Sequence, residues 1–394
     1  MVSRRNNRRN RSEPIGKIVQ GKSSMPSVID PQGTTPSSIQ YDLFTTFWGD
    51  AKQDQSNSVE FWDALPKFSV HRNKQIELRH ENGFLPIHKA DFTFREQKYL
   101  LELQPAYITE GNRDVGYYPS SDEELIWEVL IKYFADQQYG LHMPDEEPPS
   151  SFVRFSLHLL QRELGKHGHK RSLKQIRHAV EVLSRCMLVI SKADSKNALY
   201  RAPILADVLD VSRNDYLDDP TKLWVGRLPV IVSFALKSLE YRQYNYATSL
   251  SFKDPLSRWV HKRITHRFTQ ASLLETYNIS LSRIVNESGY LEKGGRVRRH
   301  VARIDKVLQD LCDAHVLTYT DKDERRGTGR GKPIQEVIWT LHPHPAFCSE
   351  VKAANGRLKD ARARLSLVKG RKDNGAGKPL IEHLEIKENT YNDL

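Results

Sequence analysis

The feature that most constrains the fold of this sequence is an order of helical and strand-like segments that occurs twice, about 130 residues apart. In the first copy, Ser121 and Glu124 have the capping-box spacing, and the following apolar periodicity predicts a helix through Tyr133. Further helices are predicted at 152–164 and 172–185, and the segments MLVIS and LYRAPIL then predict two strands. The apolar stripe of the third helix consists of Leu173, Ile176, Val180 and Leu183.

The second copy has the same order. A helix is predicted from Asp254 to Phe268, a short one from Ile279 to Ser288, and a long one at about 296–314. The strand VLTYT, the basic loop DKDERRGTGRGKP and the strand QEVIWTL follow. Three helices and then a hairpin is the order of a winged helix, a helix-turn-helix variant whose third helix enters the DNA major groove. The predicted fold class is therefore helix-rich α+β, with two winged-helix domains in tandem.

The length of 394 residues is more than one hydrophobic core usually supports. Residues around the two copies divide into regions by composition. The predicted organisation is a disordered basic tail at 1–40, a small α+β extension at 41–115, a first winged helix with its linker at 116–250, a second at 251–350, and a polar basic C-terminal tail at 351–394.

The charge balance favours a polyanionic partner. Lys and Arg number 60 against 49 Asp and Glu, which gives a net charge of +11. Such an excess suits nucleic acid or an anionic membrane surface, although it also serves solubility. Residues 253–332 contain 17 basic and 10 acidic residues, so most of the excess charge lies in the second copy. We therefore expect much of the affinity for DNA to reside there.

The third helix of the second copy has the pattern best suited to DNA. Its apolar stripe is Val297, Val301, Ile304, Leu308 and Leu311. At about 100° per residue, Arg299, Arg303 and Lys306 are predicted on the opposite side, flanked by Arg296 and Arg298. The alternative is a solvated basic face. Asp305 is the single acid between positions 296 and 309, whereas a merely soluble helix usually mixes charges as ion pairs.

The predicted wing loop is also basic. Arg325, Arg326, Arg330 and Lys332 are placed there to contact phosphates or a minor groove. A phosphate-binding P-loop is the alternative for such a Gly-rich segment. That motif lacks its first glycine here, and Pro333 replaces the required Ser or Thr.

The third helix of the first copy is a weaker version of the same design. Lys170, Arg171, Lys174 and Arg177 lie away from its apolar stripe, with His178 and Arg185 further along. This basic face is expected either to bind DNA or to meet a partner subunit, and the sequence leaves both open.

Catalytic alternatives find little support in the sequence. The pairs His167-Gly168-His169 and His342-Pro343-His344 are compared with the metal-binding histidines of DNA-nicking enzymes, but those lie on a strand with an apolar residue between them. We therefore predict loop histidines without metal, no cofactor, and no enzymatic activity.

The remaining sequence features concern the cellular compartment. The three cysteines, Cys186, Cys312 and Cys348, fit neither a disulfide framework nor a zinc site. No apolar run approaches 18 residues, which argues against a membrane span. A cytoplasmic location is expected.

From about 118 to 345 the chain resembles plasmid replication initiators, the Rep proteins that bind repeated sites called iterons. The resemblance rests on the tandem winged-helix order and on the two basic third helices. The stretch GYYPSSDEELI at 116–126 also resembles initiators of large plasmids and secondary chromosomes.

The resemblance implies binding to double-stranded origin repeats, opening of an adjacent A·T-rich segment, and recruitment of a host initiator and replicative helicase. It also implies homodimers that exchange with DNA-bound monomers, and association with the plasmid or nucleoid. A tandem winged-helix transcriptional repressor and a metal-dependent origin-nicking enzyme remain as alternatives.

Overall fold

The computed structural model describes residues 55–136, 139–195, 197–210, 223–328 and 332–369, with side chains as far as 363. The predicted tail at 1–40 lies outside them. The helices are, in chain order, α1 (Glu60–Ala64), α2 (Arg72–Leu78), α3 (Ser121–Phe134), α4 (Leu157–Lys166), α5 (Leu173–Arg185), α6 (Val230–Lys237), α7 (Tyr246–Ser251), α8 (Pro255–Arg267), α9 (Leu281–Ser288), α10 (Val297–Asp313) and α11 (Pro345–Lys369).

The strands fall between these helices. They are β1 (Gln55–Ser58), β2 (His88–Phe94), β3 (Gln97–Gln104), β4 (Ala106–Glu110), β5 (Arg113–Tyr117), β6 (Gly140–Met143), β7 (Ser150–Phe155), β8 (Met187–Lys192), β9 (Ala198–Pro203), β10 (Ala206–Leu209), β11 (Trp224–Arg227), β12 (Arg242–Asn245), β13 (Tyr277–Ser280), β14 (Leu317–Arg326) and β15 (Ile334–Pro343). The protein is α+β, as predicted.

The first predicted helix forms as α3, but its cap lies one residue earlier than expected. The backbone N–H and the hydroxyl of Ser120 both donate to the carboxylate of Glu123, at 2.8 and 2.9 Å. Two Ser-x-x-Glu spacings overlap in this segment, so the sequence alone does not choose between them. The predicted partner Glu124 instead accepts hydrogen bonds from a distant arginine, described below.

The predicted helix at 152–164 is wrong in its first part. Residues of β7 alternate, with Ser151, Val153 and Phe155 buried, which is the period of a strand. The helix begins only after Ser156, whose hydroxyl accepts a hydrogen bond from the backbone of Leu159 at 3.2 Å. The predicted third helix at 172–185 is confirmed as α5, with Ser172 as its N-cap.

The predicted N-terminal extension is not a separate small unit, which corrects its boundary at 115. Strand β3 pairs with β8, so that the hairpin β8–β9 of the first copy becomes part of a four-stranded sheet in the order β2-β3-β8-β9. Helix α1 buries Phe61 and Trp62 in the core that also holds α3, α4 and α5, and Trp62 lies 5.3 Å from Trp127 between ring centroids.

The second copy forms its own core from Phe252 to Val351. Its elements follow the order α8, β13, α9, α10, β14, β15, and the three strands form a sheet in the order β13-β15-β14. This is the predicted order of three helices and a hairpin, with a short strand added before α9. Gly289 ends α9 at φ +70°, the left-handed conformation typical of a C-terminal cap. A Cβ at Gly289 would stand 2.6 Å from Pro66, so a side chain there would also disturb the contact with the first core.

Buried ion pairs join the two cores. Arg258 of α8 donates two hydrogen bonds to Glu124 of α3, at 3.3 and 2.6 Å, and both side chains are almost completely buried. One turn further, Lys262 bonds Glu128 at 2.5 Å and Asp63 at 3.3 Å. Separating the cores would leave these charges without partners, which costs several kcal/mol per ion. The cores are therefore held in one arrangement.

Helix α11 is a second connection, and it corrects the predicted tail beginning at 351. Phe347 and Val351 pack in the second core, whereas Leu358 and Ala361 pack against the first. Asn355 between them donates a hydrogen bond to the backbone of Thr269 at 2.8 Å. Although α11 is long, neither it nor any other helix in the described ranges has the apolar stretch needed to cross a membrane.

Candidate nucleic-acid interface

Helix α10 is amphipathic, and its apolar side is placed as predicted. Val301, Ile304, Leu308 and Leu311 are buried in the second core, and Val297 packs partly against it. The turn before the helix contains Gly294 at φ +82°, a conformation that favours glycine. The opposite side of the helix consequently faces away from the core.

One predicted DNA-contacting residue of α10 has a different position from that expected. Arg303 donates two hydrogen bonds to Asp254, at 3.0 and 2.8 Å, and a third to the carbonyl of Tyr290 at 2.8 Å. Because Arg303 is next to the buried Ile304 in the sequence, it lies about 100° from Ile304 around the helix axis. It therefore projects from the side of the helix and not from the face opposite the core. Its guanidinium is engaged within the protein, which corrects its expected place on the outer side.

The pKa of Asp254 reflects this contact. Burial raises the pKa, but hydrogen bonds from Arg303 and from the backbone N–H of Leu256 outweigh it and lower the pKa below 3.8. Asp254 also caps α8 through the bond to Leu256. The same carboxylate thus orients α10 and begins α8.

The single acid within the basic part of α10 is also engaged. Asp305 accepts a hydrogen bond from the indole of Trp339 on β15 and another from Lys322 on β14, both at 2.8 Å. Near the end of the helix, Asp310 accepts one from Ser257 of α8 at 2.9 Å. Together with Arg303, these contacts fix α10 against both α8 and the hairpin. No local sequence pattern indicated them, since each joins residues far apart in the chain.

Four basic residues of α10 remain in solvent, and we call them the basic face of α10. Arg298, Arg299 and Lys306 are exposed on the helix, and Arg296 is exposed at its N-cap. None of the four forms an ion pair with a residue that the structure describes. Exposed Ala302 lies between them at helical spacing. The basic face is therefore positively charged without acidic partners, and a small side chain lies at its centre.

The predicted basic loop is shorter than expected, because β14 continues to Arg326. Arg325 lies 3.8 Å from Asp323, and Arg326 lies 2.5 Å from Glu324, so each has an acidic neighbour on its own strand. Lys332 is exposed at φ +40° where the chain enters β15. The predicted contact Arg330 lies outside the described residues. This strand pairing extends the hairpin beyond what the polar sequence suggested.

In the first copy, the basic residues around α5 are more fully neutralised. Arg171 donates two hydrogen bonds to Asp122, at 3.1 and 2.7 Å. Arg177 lies 3.7 Å from Asp210 and over the ring of Trp224 at 5.8 Å. Two other predicted contacts are exposed and form no ion pair with a described residue; they are Lys170 and Lys174.

The hairpin β4–β5 covers another part of α5. The ring of Tyr117 meets His178 edge-on, with centroids 4.6 Å apart, and Arg185 donates to the carbonyl of Tyr107 at 3.1 Å. Both positions therefore contact the hairpin β4–β5, although Arg185 remains exposed. The sequence did not indicate this contact, because it depends on how the extension folds onto the first core.

The first histidine pair has contacts within the protein. His167 lies 3.5 Å from Glu163, and its ring meets Tyr246 edge-on at 5.3 Å. A ring nitrogen of His169 lies 2.5 Å from the carbonyl of Leu250, which connects this turn to α7.

The second pair lies at the end of β15. His342 bonds Asp321 at 2.9 Å and stacks on Tyr319 with centroids 3.9 Å apart. His344 accepts a hydrogen bond from the backbone of Ala346 at 3.2 Å. Across the part of the chain that the structure describes, no three His, Cys, Asp or Glu side chains are grouped so as to hold a metal ion.

Comparisons with known proteins give structural similarities only. No family model and no curated protein matches the chain. Among solved structures, the chain is similar to domains 2 and 3 of RctB, with a TM-score of 0.42 and 11% identity over 71% of this chain and 99% of that one. A second structure of RctB domains 2 and 3 gives a TM-score of 0.40 at 11% identity, covering 70% and 97%.

A third similar structure is the Pi initiator protein in complex with iteron DNA. Its TM-score is 0.37 at 11% identity, and the match covers 57% of this chain and 94% of that one.

Proposed function

We propose that the protein binds specific double-stranded DNA through the basic face of α10 and acts as a replication initiator. The observation that carries this proposal is that face itself: Arg298, Arg299 and Lys306 are exposed and have no ion-pair partner among the described residues. Arg303, Asp305 and the core hold the helix beneath them in place. Cations presented on a fixed helix can displace counterions from DNA without first breaking internal ion pairs.

In this proposal, α10 lies in the major groove. Arg298 and Arg299 point toward base edges, where an arginine donates two hydrogen bonds to a guanine. Ala302 lets the helix backbone approach the groove closely. In the same proposal, Arg325 and Arg326, near the end of β14, contact backbone phosphates beside this groove.

The first core adds a second, weaker contact. Lys170 and Lys174 bind phosphates. A lysine ammonium is a point charge without the planar fork of an arginine, so it attracts the DNA backbone but discriminates little between bases. Because the Arg258–Glu124 pair joins the two cores, we propose that both contacts engage one DNA site together, with a fixed separation.

The initiator role is proposed from the sequence resemblance. It comprises binding to repeated origin sites, opening of adjacent A·T-rich DNA, contacts with a host initiator and helicase, and a homodimer in the absence of DNA. We also propose that the protein acts by binding alone, without cleaving DNA or hydrolysing ATP. In support, both histidine pairs are occupied by contacts within the protein.

The test has two stages. Selection from random duplexes first identifies the preferred site, which is compared with direct repeats beside the coding sequence. A supercoiled plasmid with those repeats and an A·T-rich flank is then probed with a reagent specific for unpaired bases. Opening by the purified protein, lost in an Arg298→Ala, Arg299→Ala double variant that still folds, is the expected result.

Two results would redirect the proposal. Tight binding without opening, together with reduced transcription from an overlapping promoter, would indicate a repressor. Nicking of the plasmid with added Mg²⁺ or Mn²⁺ would indicate an enzyme.

A further inference from the structure

A cleft away from the basic face of α10 lies between α1, the β2–β3 turn, the segment 239–242 and the C-terminal half of α11. It encloses about 720 Å³, part of it open to solvent. We call it the arginine cleft, because three guanidinium groups line it; they belong to Arg95, Arg242 and Arg362. Its apolar walls are formed by Val59, Phe61, Phe94, Leu239, Tyr241 and Leu358.

Arg242 is incompletely paired in this cleft. Its Nη2 donates to the side-chain oxygen of Asn355 at 2.6 Å, but its Nε is buried and has no hydrogen-bond partner among the residues that the structure describes. Burial and the nearby charge of Arg362 both lower the pKa of Arg242. Neither arginine forms an ion pair with a carboxylate of the described residues.

Arg357 lies next to the arginine cleft, in the contact between β12 and α11. Burial lowers the pKa of Arg357, and its guanidinium bonds two neutral side chains, the amide oxygens of Gln243 and Gln55. Arg242, Arg357 and Arg362 thus lie along the contact between β12 and α11, and no carboxylate of the described residues is bonded to any of them.

The acids of the arginine cleft offset the positive charge only in part: the charge of Glu60 raises the pKa of Arg242, but that pKa remains below its ordinary value. Glu60 is bonded by Arg95 at 3.3 Å and by Arg267 at 2.8 Å. Glu240 also lines the cleft, but it is not among the groups that act on the pKa of Arg242. Arg242 is partly removed from water beside the like charge of Arg362, so the two repel each other, and that cost is recovered when an anion binds between them.

We propose that the arginine cleft binds a small phosphate-bearing molecule. Its phosphates lie between Arg242 and Arg362, where the planar guanidinium fork fits phosphate oxygens in pairs. The nonpolar part of such a molecule lies against Tyr241 and Leu358. Binding holds α11 against β12, and because α11 packs on both cores, occupancy stabilises the whole folded chain.

Isothermal titration calorimetry of the full chain with pyrophosphate and with ADP tests this proposal, together with melting curves. The decisive variant is Arg362→Gln, whose side chain is exposed, so that folding is retained. Lys359→Gln is the matched control, because it removes one positive charge from the exposed side of the same helix.

We expect one ligand per chain and a raised melting temperature in the unaltered protein and in Lys359→Gln. Arg362→Gln should bind about tenfold more weakly, the loss expected for one charged hydrogen-bonded contact. Without ligand it should melt no lower than the unaltered protein, since a repulsion has been removed.

The proposal is overturned if neither probe binds at millimolar concentration, or if Lys359→Gln weakens binding as much as Arg362→Gln. Competition by duplex DNA for the same site would also overturn it, because the site would then belong to nucleic acid. An Arg298→Gln, Arg299→Gln variant separates this proposal from the DNA proposal: it should lose DNA binding and retain pyrophosphate binding.

Discussion

Arg303 and Asp254 form an ion pair with two hydrogen bonds, at 3.0 and 2.8 Å, between the middle of α10 and the N-cap of α8. Each side chain is more than two-thirds buried. Arg303 lies one helical turn from Arg299, yet its partners are internal whereas Arg299 is in solvent. Neighbouring arginines of one helix therefore have opposite roles, one in positioning α10 and one in presenting charge.

Arg303→Ala should consequently reduce stability. We expect the free energy of unfolding to fall by roughly 1–3 kcal/mol, because Asp254 loses its charged partner while it stays partly buried. Arg299→Ala, the matched control on the same helix, should change it by less than about 0.5 kcal/mol. Urea denaturation followed by circular dichroism measures both, and equal losses in the two variants would contradict the assignment.

Binding to DNA should show the opposite order. Arg299→Ala should weaken binding to the preferred duplex by roughly 1–3 kcal/mol, and relax the preference at particular base pairs, if it contacts guanine. Fluorescence anisotropy with preferred and scrambled duplexes measures this. Undiminished binding by a folded Arg298→Ala, Arg299→Ala variant would exclude α10 as the recognition helix and transfer that role to α5, around Lys174.

The hairpin should contribute a different kind of contact. Arg325→Ala should weaken binding about equally on all sequences and make the slope of log K against log salt shallower by about 1, as expected for a lost phosphate contact. Lys352→Ala, on the exposed side of α11, removes the same charge elsewhere and should leave the slope unchanged. A sequence-dependent loss at Arg325 would instead indicate base contact.

The sequence predicted best those elements whose pattern is local. Helix α10 was expected at about 296–314 and spans Val297–Asp313, because an apolar stripe with helical spacing lies between two glycines and a strand. The start of α4 was wrong for a local reason too. Phe152 and Phe155 suit either a helix or a strand, and only the alternation of buried Ser151, Val153 and Phe155 with the less buried residues between them separates the two.

Contacts between distant segments could not be predicted from such patterns. Nothing near Arg303 in the sequence distinguishes it from Arg299, because Asp254 is 49 residues away. Arg185 can bond the backbone of β4 because β3 joins the sheet of the first core. Glu124 fitted a helix cap as well as Glu123 did, and Arg258, 134 residues away, decides between them.

The Arg258–Glu124 pair gives a test of how strongly the two cores are joined. Arg258→Met or Glu124→Gln alone should each lower the free energy of unfolding by about 3–5 kcal/mol, because either change leaves a buried group without its partner. The double variant should cost clearly less than the two single losses added together. Urea unfolding monitored by tryptophan fluorescence measures all three, and additive losses would show that the pair does not couple the cores.

The protein should also lose stability as the pH falls below neutrality, and His261 is the clearest cause. His261 is completely buried between Tyr244 and Phe252, and neither ring nitrogen has a hydrogen-bond partner among the described residues. Burial, with a contribution from the charge of Lys262, lowers its pKa from 6.5 to about 3. In the unfolded chain, His261 therefore binds a proton near the ordinary pKa of histidine, whereas in the folded chain it binds none until the pH is far lower.

The contribution of His261 to the free energy of unfolding is therefore fully present above 6.5, its pKa in the unfolded chain. It falls as the pH drops toward about 3, by about 1.4 kcal/mol per pH unit. Burial likewise lowers the pKa of His266 and of His142 to about 4, so the loss should continue in a variant of His261 alone.

His261→Leu should reduce the slope of unfolding free energy against pH by about 1.4 kcal/mol per unit between about pH 6 and 5. His261→Gln should reduce the slope equally while lowering stability at every pH, since it buries an amide. Urea titrations across this range measure both, and an unchanged slope in His261→Leu would show that this histidine does not remain neutral in the fold.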